Sequence, residues 1–296
     1  MYFRPRTLHE AVDALTRHGG QILSGGTDFF PALGDRPISS PVVDISGVAE
    51  LRGVTIGKDE IRIGGLTTWT EVLRAPLPRC FDAFKAAARE VGSIQIQNRG
   101  TVAGNLCNAS PAADGVPPLL ALDAEVELAS RGGVRRLPIA QFLVGNRKTV
   151  RRTDEVLSAV IVPRGLDEAR SAFLKLGSRR YLVISIVMVA AVVQVDAEGR
   201  IAQARVAVGS CSAVAQRLVE LEHDLVGAEA KRGFSNRVAP EHLVSLSPID
   251  DVRADARAYA QRLLLRAHHH HRQRVRAAID VVEPEGQHAG RPGAVG

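Results

Sequence analysis

The segment "QNRGTVAGNLCNASPAAD", residues 97–114, combines two glycines with small and polar side chains and contains few bulky residues. Glycine has no Cβ and tolerates positive φ, so backbone N–H groups in a glycine turn can converge on one point and bind phosphate oxygens. Thr101 and Asn105 add side-chain donors, and Asp114 can accept a hydrogen bond from a ribose hydroxyl. The pattern therefore predicts a loop that closely approaches a ligand.

A second glycine segment lies nearer the N-terminus. "LSGGTDFFPAL", residues 23–33, places Gly25 and Gly26 after a short apolar run. A glycine pair alone more often caps a helix or closes a hairpin than binds a ligand. Neither segment contains a lysine, and the chain has neither GxGxxG nor GxxxxGK[ST]. Taken together, the two segments favour the diphosphate of a permanently bound cofactor over phosphate transfer at a Mg²⁺ site.

Composition narrows the class of protein. The chain has 296 residues, of which 45% are hydrophobic and only 4% aromatic, with a net charge of +6. This length favours two or three modules, and so few aromatic residues provide little surface for base stacking. Cys80, Cys107 and Cys211 are far apart without a CxxC pair, which argues against a disulfide framework, an iron–sulfur cluster or a zinc site. These features predict a cytoplasmic globular protein without a nucleic-acid interface.

No segment predicts a membrane span or a signal peptide. The first residues, "MYFRPRTLHEA", lack the apolar core of a signal peptide, and the longest apolar run, residues 181–195, is too short and too β-branched for a membrane helix. That run is typical of a buried strand. His268 to His271 could suggest a metal site, but no carboxylate lies in phase with them, so no metal site is expected.

Periodicity and turn residues predict the remaining elements and divide the chain into modules. Helices are expected at 7–18, from 68, and at 80–92, 213–222, 236–245 and 251–281. Strands are expected at 21–23, 42–45, 60–65, 124–130, 134–139 and 156–163, followed by a three-stranded antiparallel set at 171–176, 182–195 and 201–208. The expected divisions are 1–54, 55–168 and 169–282, with a disordered tail at 283–296.

The two glycine segments together closely resemble the FAD-binding medium subunit of the molybdenum hydroxylases, the family of xanthine dehydrogenase and aerobic carbon monoxide dehydrogenase. The resemblance covers about residues 1–282, because "VLSAVIVP" (156–163), "FLKLGSRR" (173–180) and "PIDDVRADARAYAQRLLLRA" (248–267) follow in the same order. It implies an α+β fold: a two-module FAD-binding region of the vanillyl-alcohol-oxidase-like (PCMH-type) fold, then a C-terminal domain with a three-stranded antiparallel sheet and helices.

The resemblance also implies a function and partners. FAD would take electrons from the [2Fe–2S] clusters of a small subunit and pass them to an external acceptor. A large molybdopterin-binding subunit would hydroxylate the substrate, and the whole would form a dimer of heterotrimers. Two other classes stay open: a self-sufficient FAD-dependent oxidase or NAD(P)H:acceptor reductase, and an FAD-binding scaffold without turnover. Against the first of these, no histidine with a carboxylate partner clusters in the two segments.

Carried over residue by residue, the resemblance assigns the pyrophosphate to both glycine segments. It places Asp114 close to the ribose and pyrophosphate, and Leu157 and Lys175 near the isoalloxazine ring, where a lysine ammonium would favour electron acceptance. Tyr181 could also lie near the ring. The implied cofactor-binding residues are Leu23, Ser24, Gly25, Gly26, Thr27, Asp28, Thr101, Val102, Ala103, Gly104, Asn105, Ser110, Asp114, Leu157 and Lys175.

The chain departs from the family pattern at two positions. Ala103 replaces the second glycine of TxGGN, which predicts that this position is not left-handed. Gln97 replaces a common arginine and removes one positive contact. Some relatives carry a four-cysteine insert for an additional [4Fe–4S] cluster, which three scattered cysteines cannot form. Cys107 is expected to be a small packed side chain, and Trp69 a core residue.

Overall fold

A computed structural model describes residues 1–179 and 182–230. The helices predicted at 236–245 and 251–281, the tail at 283–296, Tyr181, and His268 to His271 lie outside the described residues. Within the described ranges, no helix is long and apolar enough to cross a membrane.

The described chain forms short helices and four sheets. The helices are α1 (Leu8–His18), α2 (Phe29–Leu33), α3 (Trp69–Arg74), α4 (Asp82–Glu90), α5 (Ile94–Gln97), α6 (Val102–Asn108), α7 (Val116–Ala121), α8 (Ile139–Phe142) and α9 (Val219–Leu225). The strands are β1 (Tyr2–Phe3), β2 (Gln21–Leu23), β3 (Val42–Asp44), β4 (Val54–Ile56), β5 (Glu60–Gly64), β6 (Glu125–Ser130), β7 (Gly133–Pro138), β8 (Leu143–Gly145), β9 (Lys148–Thr149), β10 (Val156–Pro163), β11 (Arg170–Leu176), β12 (Val187–Val195), β13 (Ile201–Gly209) and β14 (Gln216–Arg217).

The N-terminal part is a parallel sheet in the order β1-β3-β2 covered by α1. Helix α1 begins as predicted, since the Thr7 hydroxyl accepts from the Glu10 amide, and it ends at Gly19, whose φ is 62°. Its buried face packs with Val43 of β3 in one apolar cluster. The sequence pattern therefore correctly predicts this helix and the strand that follows it.

The central part is a five-stranded antiparallel sheet in the order β4-β5-β10-β6-β7. Strand β10 is buried along seven of its eight residues, in agreement with its apolar sequence. Helix α3 begins with a capping box between Thr68 and Glu71. Trp69 of α3 is 1% exposed and stacks edge-on against Phe84 of α4, which confirms Trp69 as a core residue.

The last described part is an antiparallel sheet in the order β11-β12-β13-β14. The three predicted strands are present, and β14 adds a fourth. The helix predicted at 213–222 is wrong in its first half, because Gln216 pairs with Val208 and the Arg217 guanidinium bonds the Glu222 carboxylate at 2.6 Å. These contacts delay the helix until Val219.

The strand predicted at 182–195 begins only at Val187. The preceding residues form a loop in which Leu182 is left-handed, with a φ of 51°, and the Ser185 hydroxyl donates to Asp114 at 2.9 Å. A left-handed residue is not extended, so Leu182 interrupts the strand that the sequence predicts. The apolar composition of this run therefore predicted more strand than the fold contains.

Candidate cofactor site

The fold brings the two glycine segments into contact. A Cβ on Gly25 would collide with the carbonyl oxygen of Arg99, so only glycine permits this approach. The hydroxyl oxygens of Ser24 and Thr101 are 3.4 Å apart. A Cβ on Gly104 would lie 2.8 Å from Thr101 Oγ1 and 3.4 Å from Ser24 Oγ. Gly25 is therefore needed for the packing of the segments against each other, whereas a side chain at Gly104 would crowd Thr101 within its own segment.

The first segment leaves four consecutive backbone donors available. Within the part of the chain that the structure describes, the amides of residues 25–28 donate to no protein acceptor. Gly26 adopts a left-handed φ of 76° between β2 and α2. Consecutive amides around a left-handed glycine form a concave anion-binding site. This turn can thus bind phosphate oxygens through its backbone.

The second segment is a helix, so the expectation that its glycines gather free amides is wrong. Residues 102–108 form α6, and Thr101 caps it by accepting from the Gly104 amide at 3.0 Å. The amides of Val102 and Ala103 donate to carbonyl oxygens of residues 67 and 65. Ala103 lies in this helix and has no positive φ, which confirms the prediction for that position. What this segment can offer a ligand is therefore its side chains.

Asn105 carries an unsatisfied polar atom. Its Oδ1 is buried and has no hydrogen-bond partner within residues 1–179 and 182–230. It lies against Gly115, where a Cβ would be only 3.1 Å away. A buried amide oxygen without a partner costs about 1 to 3 kcal/mol, so native proteins normally provide one. A bound ligand with a polar group would supply that partner.

Taken together, these features fit a dinucleotide cofactor such as FAD. Four free amides suit the diphosphate, and the Ser24 and Thr101 hydroxyls together with the Asn105 amide can bond its oxygens or the adjoining hydroxyls. When bound, FAD supplies the capacity to accept and release electrons. The residues named above would hold it in place.

Lys175 and Asp114 form a buried ion pair between modules. Lys175 Nζ lies 2.8 Å from Asp114 Oδ2, and the two side chains are 8% and 10% exposed. Ser185 bonds the other carboxylate oxygen, and Lys175 also donates to the carbonyl of Glu90 at 3.4 Å. Burial raises the pKa of Asp114 above its usual value, and the bonds from Lys175 and Ser185 offset this only partly. Both oxygens of Asp114 thus already have protein partners.

The other predicted site residues lie in more structural positions. The Leu157 side chain is 3% exposed and belongs to the main apolar core. Ser110 Oγ accepts from the Ala112 amide at 3.2 Å and shapes the turn before Asp114. Burial raises the pKa of Cys107 to about 11, which keeps it a thiol and agrees with a packed role. The contact of Leu157 and Ser110 with a cofactor stays a prediction.

Sequence reasoning missed three residues at this site. Asn108 Nδ2 donates to Asp28 Oδ1 at 2.8 Å, although the two are 80 positions apart. Arg147 donates to the Asn108 side chain from the turn between β8 and β9. Ser185 bonds Asp114 from the loop before β12. Only Asn108 carried a signal, since it lies within the polar segment 97–114.

The fold, with the free amides of residues 25–28 and the side chains of Ser24, Thr101 and Asn105, fits a flavoprotein. Residues 1–165 match the family described as "FAD binding domain in molybdopterin dehydrogenase", and residues 172–270 match "CO dehydrogenase flavoprotein C-terminal domain". The chain belongs to this family of FAD-binding subunits of molybdenum hydroxylases.

Curated relatives agree with this assignment. The chain is 35% identical over 235 residues to the nicotinate dehydrogenase FAD-subunit of Eubacterium barkeri, which covers 77% of this chain and 79% of the relative. It is 32% identical over 260 residues to the xanthine dehydrogenase FAD-binding subunit of Escherichia coli O157:H7, which covers 86% and 88%.

Solved structures share the fold. A chain of carbon monoxide dehydrogenase from Hydrogenophaga pseudoflava superposes with a TM-score of 0.78 at 24% identity, covering 95% of this chain and 96% of that one. A chain of quinoline 2-oxidoreductase from Pseudomonas putida 86 gives a TM-score of 0.77 at 26% identity, covering 91% and 96%. The expected fold class, a two-part FAD-binding region followed by a C-terminal α+β domain, is confirmed.

The buried ion pair yields a prediction for stability. Lys175→Met leaves the Asp114 carboxylate buried without a counter-charge, so the free energy of unfolding at pH 7 should fall by about 3 kcal/mol. The deficit should shrink towards pH 4, because the destabilisation by an acid whose folded pKa is raised is complete only above the folded pKa and disappears as the pH falls to the unfolded pKa. Urea denaturation at both pH values measures it. The double variant Lys175→Met/Asp114→Asn should regain at least half of the loss. A deficit independent of pH and unchanged in the double variant would contradict the ion-pair account.

Proposed function

We propose that the backbone amides of residues 25–28 hold the diphosphate of FAD, and that Ser24, Thr101 and Asn105 complete this site with side chains. The four amides, which donate to no acceptor in the described part of the chain, carry the proposal. The side chain of Asn105 supports it independently, since its buried oxygen has no hydrogen-bond partner among the same residues. The remaining predicted contacts, at Leu23, Ser110, Asp114, Leu157 and Lys175, are part of the same proposal. Asp114 and Lys175, being paired, would face one region of the cofactor together.

We further propose that the chain works as the middle carrier of a three-subunit enzyme. Electrons would enter from the [2Fe–2S] clusters of a small subunit and leave to an external acceptor, while a large molybdopterin-binding subunit oxidises the substrate. The names of relatives support such an assembly, for example the nicotine 6-hydroxylase medium subunit of Paenarthrobacter nicotinovorans and the carbon monoxide dehydrogenase medium chain of Hydrogenophaga pseudoflava. A dimer of heterotrimers is the proposed oligomer.

We propose a cytoplasmic location for this complex, since Cys80 and Cys107 are thiols rather than disulfides, as a reducing compartment maintains them. Burial also raises the pKa of Cys80 to about 12 and keeps it protonated. Within residues 1–179 and 182–230, no three histidine, cysteine, aspartate or glutamate side chains group to hold a metal ion.

Replacing Asn105 tests the site. Asn105→Ala should weaken FAD binding by about tenfold, because a buried hydrogen bond to the cofactor is lost. It should raise the free energy of unfolding of the apoprotein, by up to about 1 to 3 kcal/mol, since the substitution removes the penalty of a buried amide oxygen that has no partner among the described residues. Fluorescence titration of apoprotein with FAD and urea denaturation measure the two quantities.

The matched control is Asn98→Ala. Asn98 is exposed and accepts from the Thr70 hydroxyl at 2.6 Å, outside the proposed site. This variant should bind FAD like the wild type. If Asn105→Ala keeps full FAD affinity, the proposed contact is wrong. It is also wrong if Asn98→Ala lowers FAD affinity as much as Asn105→Ala does.

Electron transfer through partners can be separated from independent catalysis. The isolated holoprotein should not reduce a dye with NADH at a steady rate, because no acid–base pair was predicted in the two segments. Mixed anaerobically with both partner chains and their substrate, its flavin absorption near ~450 nm should bleach. Partner chains from the neighbouring genes and a stopped-flow spectrometer suffice. Sustained NADH:dye turnover by this chain alone would favour a self-sufficient oxidoreductase.

A further inference from the structure

The four backbone amides of residues 25–28 lie in a segment that also carries a negatively charged side chain. Asp28 supplies one of the four free amides, and it also carries an exposed carboxylate. A diphosphate bound by residues 24–28 would lie in the same short segment as this carboxylate. Like charges within a few ångströms repel, unless one is bonded by a neighbouring donor or balanced by a cation. The site therefore needs an interaction that fixes the position of the Asp28 carboxylate and offsets its charge.

Two consecutive hydrogen bonds, from Asn108 to Asp28 and from Arg147 to Asn108, provide this interaction. Asn108 Nδ2 donates to Asp28 Oδ1 at 2.8 Å. On its other side, the Asn108 carbonyl oxygen accepts from Arg147 Nη1. The arginine thereby fixes which end of the Asn108 amide faces Asp28, because a guanidinium can only donate. This chain of contacts joins the first glycine segment, the end of α6 and the β8–β9 turn.

The backbone around Arg147 is strained in a way that fits this role. Arg147 has a φ of 55°, and its amide donates at 2.8 Å to the carbonyl of Ala109, which is itself left-handed with a φ of 47°. Left-handed backbone costs a residue with a Cβ about 1 kcal/mol or more. Such strain persists only where the surrounding structure holds it, and it clusters at functional sites. Here the strain places the guanidinium against Asn108.

We propose that Arg147 is a positioning residue for the FAD diphosphate: acting through Asn108, it holds the Asp28 carboxylate in place and offsets its charge. The inference rests on the proposed role of residues 24–28. Arg147 adds a positive charge to two segments that contain no lysine and one arginine, Arg99. Arg147 need not touch the cofactor, since its effect passes through the side chain of Asn108.

The adjacent lysine provides a matched control. Lys148 is exposed and lies one position further along the same hairpin, at the start of β9. Arg147→Gln and Lys148→Gln remove the same charge, but only the first removes the bond to Asn108. Arg147→Gln should weaken FAD binding about tenfold, as expected for loss of a charged hydrogen bond, and Lys148→Gln less than about twofold. Equal losses in the two variants would overturn the proposal.

A double-mutant cycle tests the route through Asp28. In an Asp28→Asn background the carboxylate is neutral, so adding Arg147→Gln should weaken FAD binding less than about twofold. A tenfold loss in that background would show that Arg147 does not act on Asp28, and would overturn the proposal. Titration of apoprotein with FAD measures all four proteins of the cycle.

Arg147→Gly separates positioning from folding. Glycine relieves the left-handed strain, so the apoprotein should melt at the same temperature or higher, while FAD affinity still falls about tenfold. Unchanged FAD affinity would overturn the role of Arg147. If Asn105→Ala weakens FAD binding but no Arg147 variant does, only the positioning role fails. If neither residue matters, the assignment of the diphosphate to this site fails.

Discussion

The close contact between the turn after β2 and the residues before α6 is the constraint on which the site depends. Gly25 approaches the carbonyl of Arg99 so closely that any side chain would force the two apart. In this turn four amides donate to no acceptor among the residues that the structure describes, and the contact brings Ser24 beside Thr101. The N-terminal parallel sheet carries the first glycine segment, and the second segment forms helix α6, which packs on β10. The site therefore exists only when both modules are folded against each other.

The C-terminal sheet is attached to this site by the buried pair of Lys175 and Asp114. A buried ion pair contributes little net stability compared with apolar packing, but leaving one partner alone is costly. Such a pair favours one arrangement of the two modules over others. Ser185 adds a second bond from the same sheet to the same carboxylate. Residues assigned to the cofactor by resemblance can thus serve first to fix the geometry around it.

Local signals predicted the local parts of the molecule. The capped helix α1, strand β10 and the three long C-terminal strands follow from periodicity and turn residues within each segment. The second glycine segment was predicted as a loop because glycines are typical of turns, but residues 102–108 form a helix that Thr101 caps. Contacts such as Asp28 with Asn108, or Arg147 with Asn108, join residues far apart in sequence. No motif encodes these contacts. The first depends on how the two glycine segments pack, and the second on how the short β8–β9 hairpin packs.

The central claim is that this chain recognises the diphosphate of FAD through the turn at residues 24–28. The most direct measurement is the dissociation constant of the apoprotein for FAD compared with that for FMN, with ADP as a competitor. FMN has the same ring system but no diphosphate. The account predicts that FAD binds at least about a hundredfold more tightly, since several hydrogen bonds to charged oxygens are at stake, and that ADP competes with it. Equal affinity for FAD and FMN, with no competition by ADP, would contradict the account.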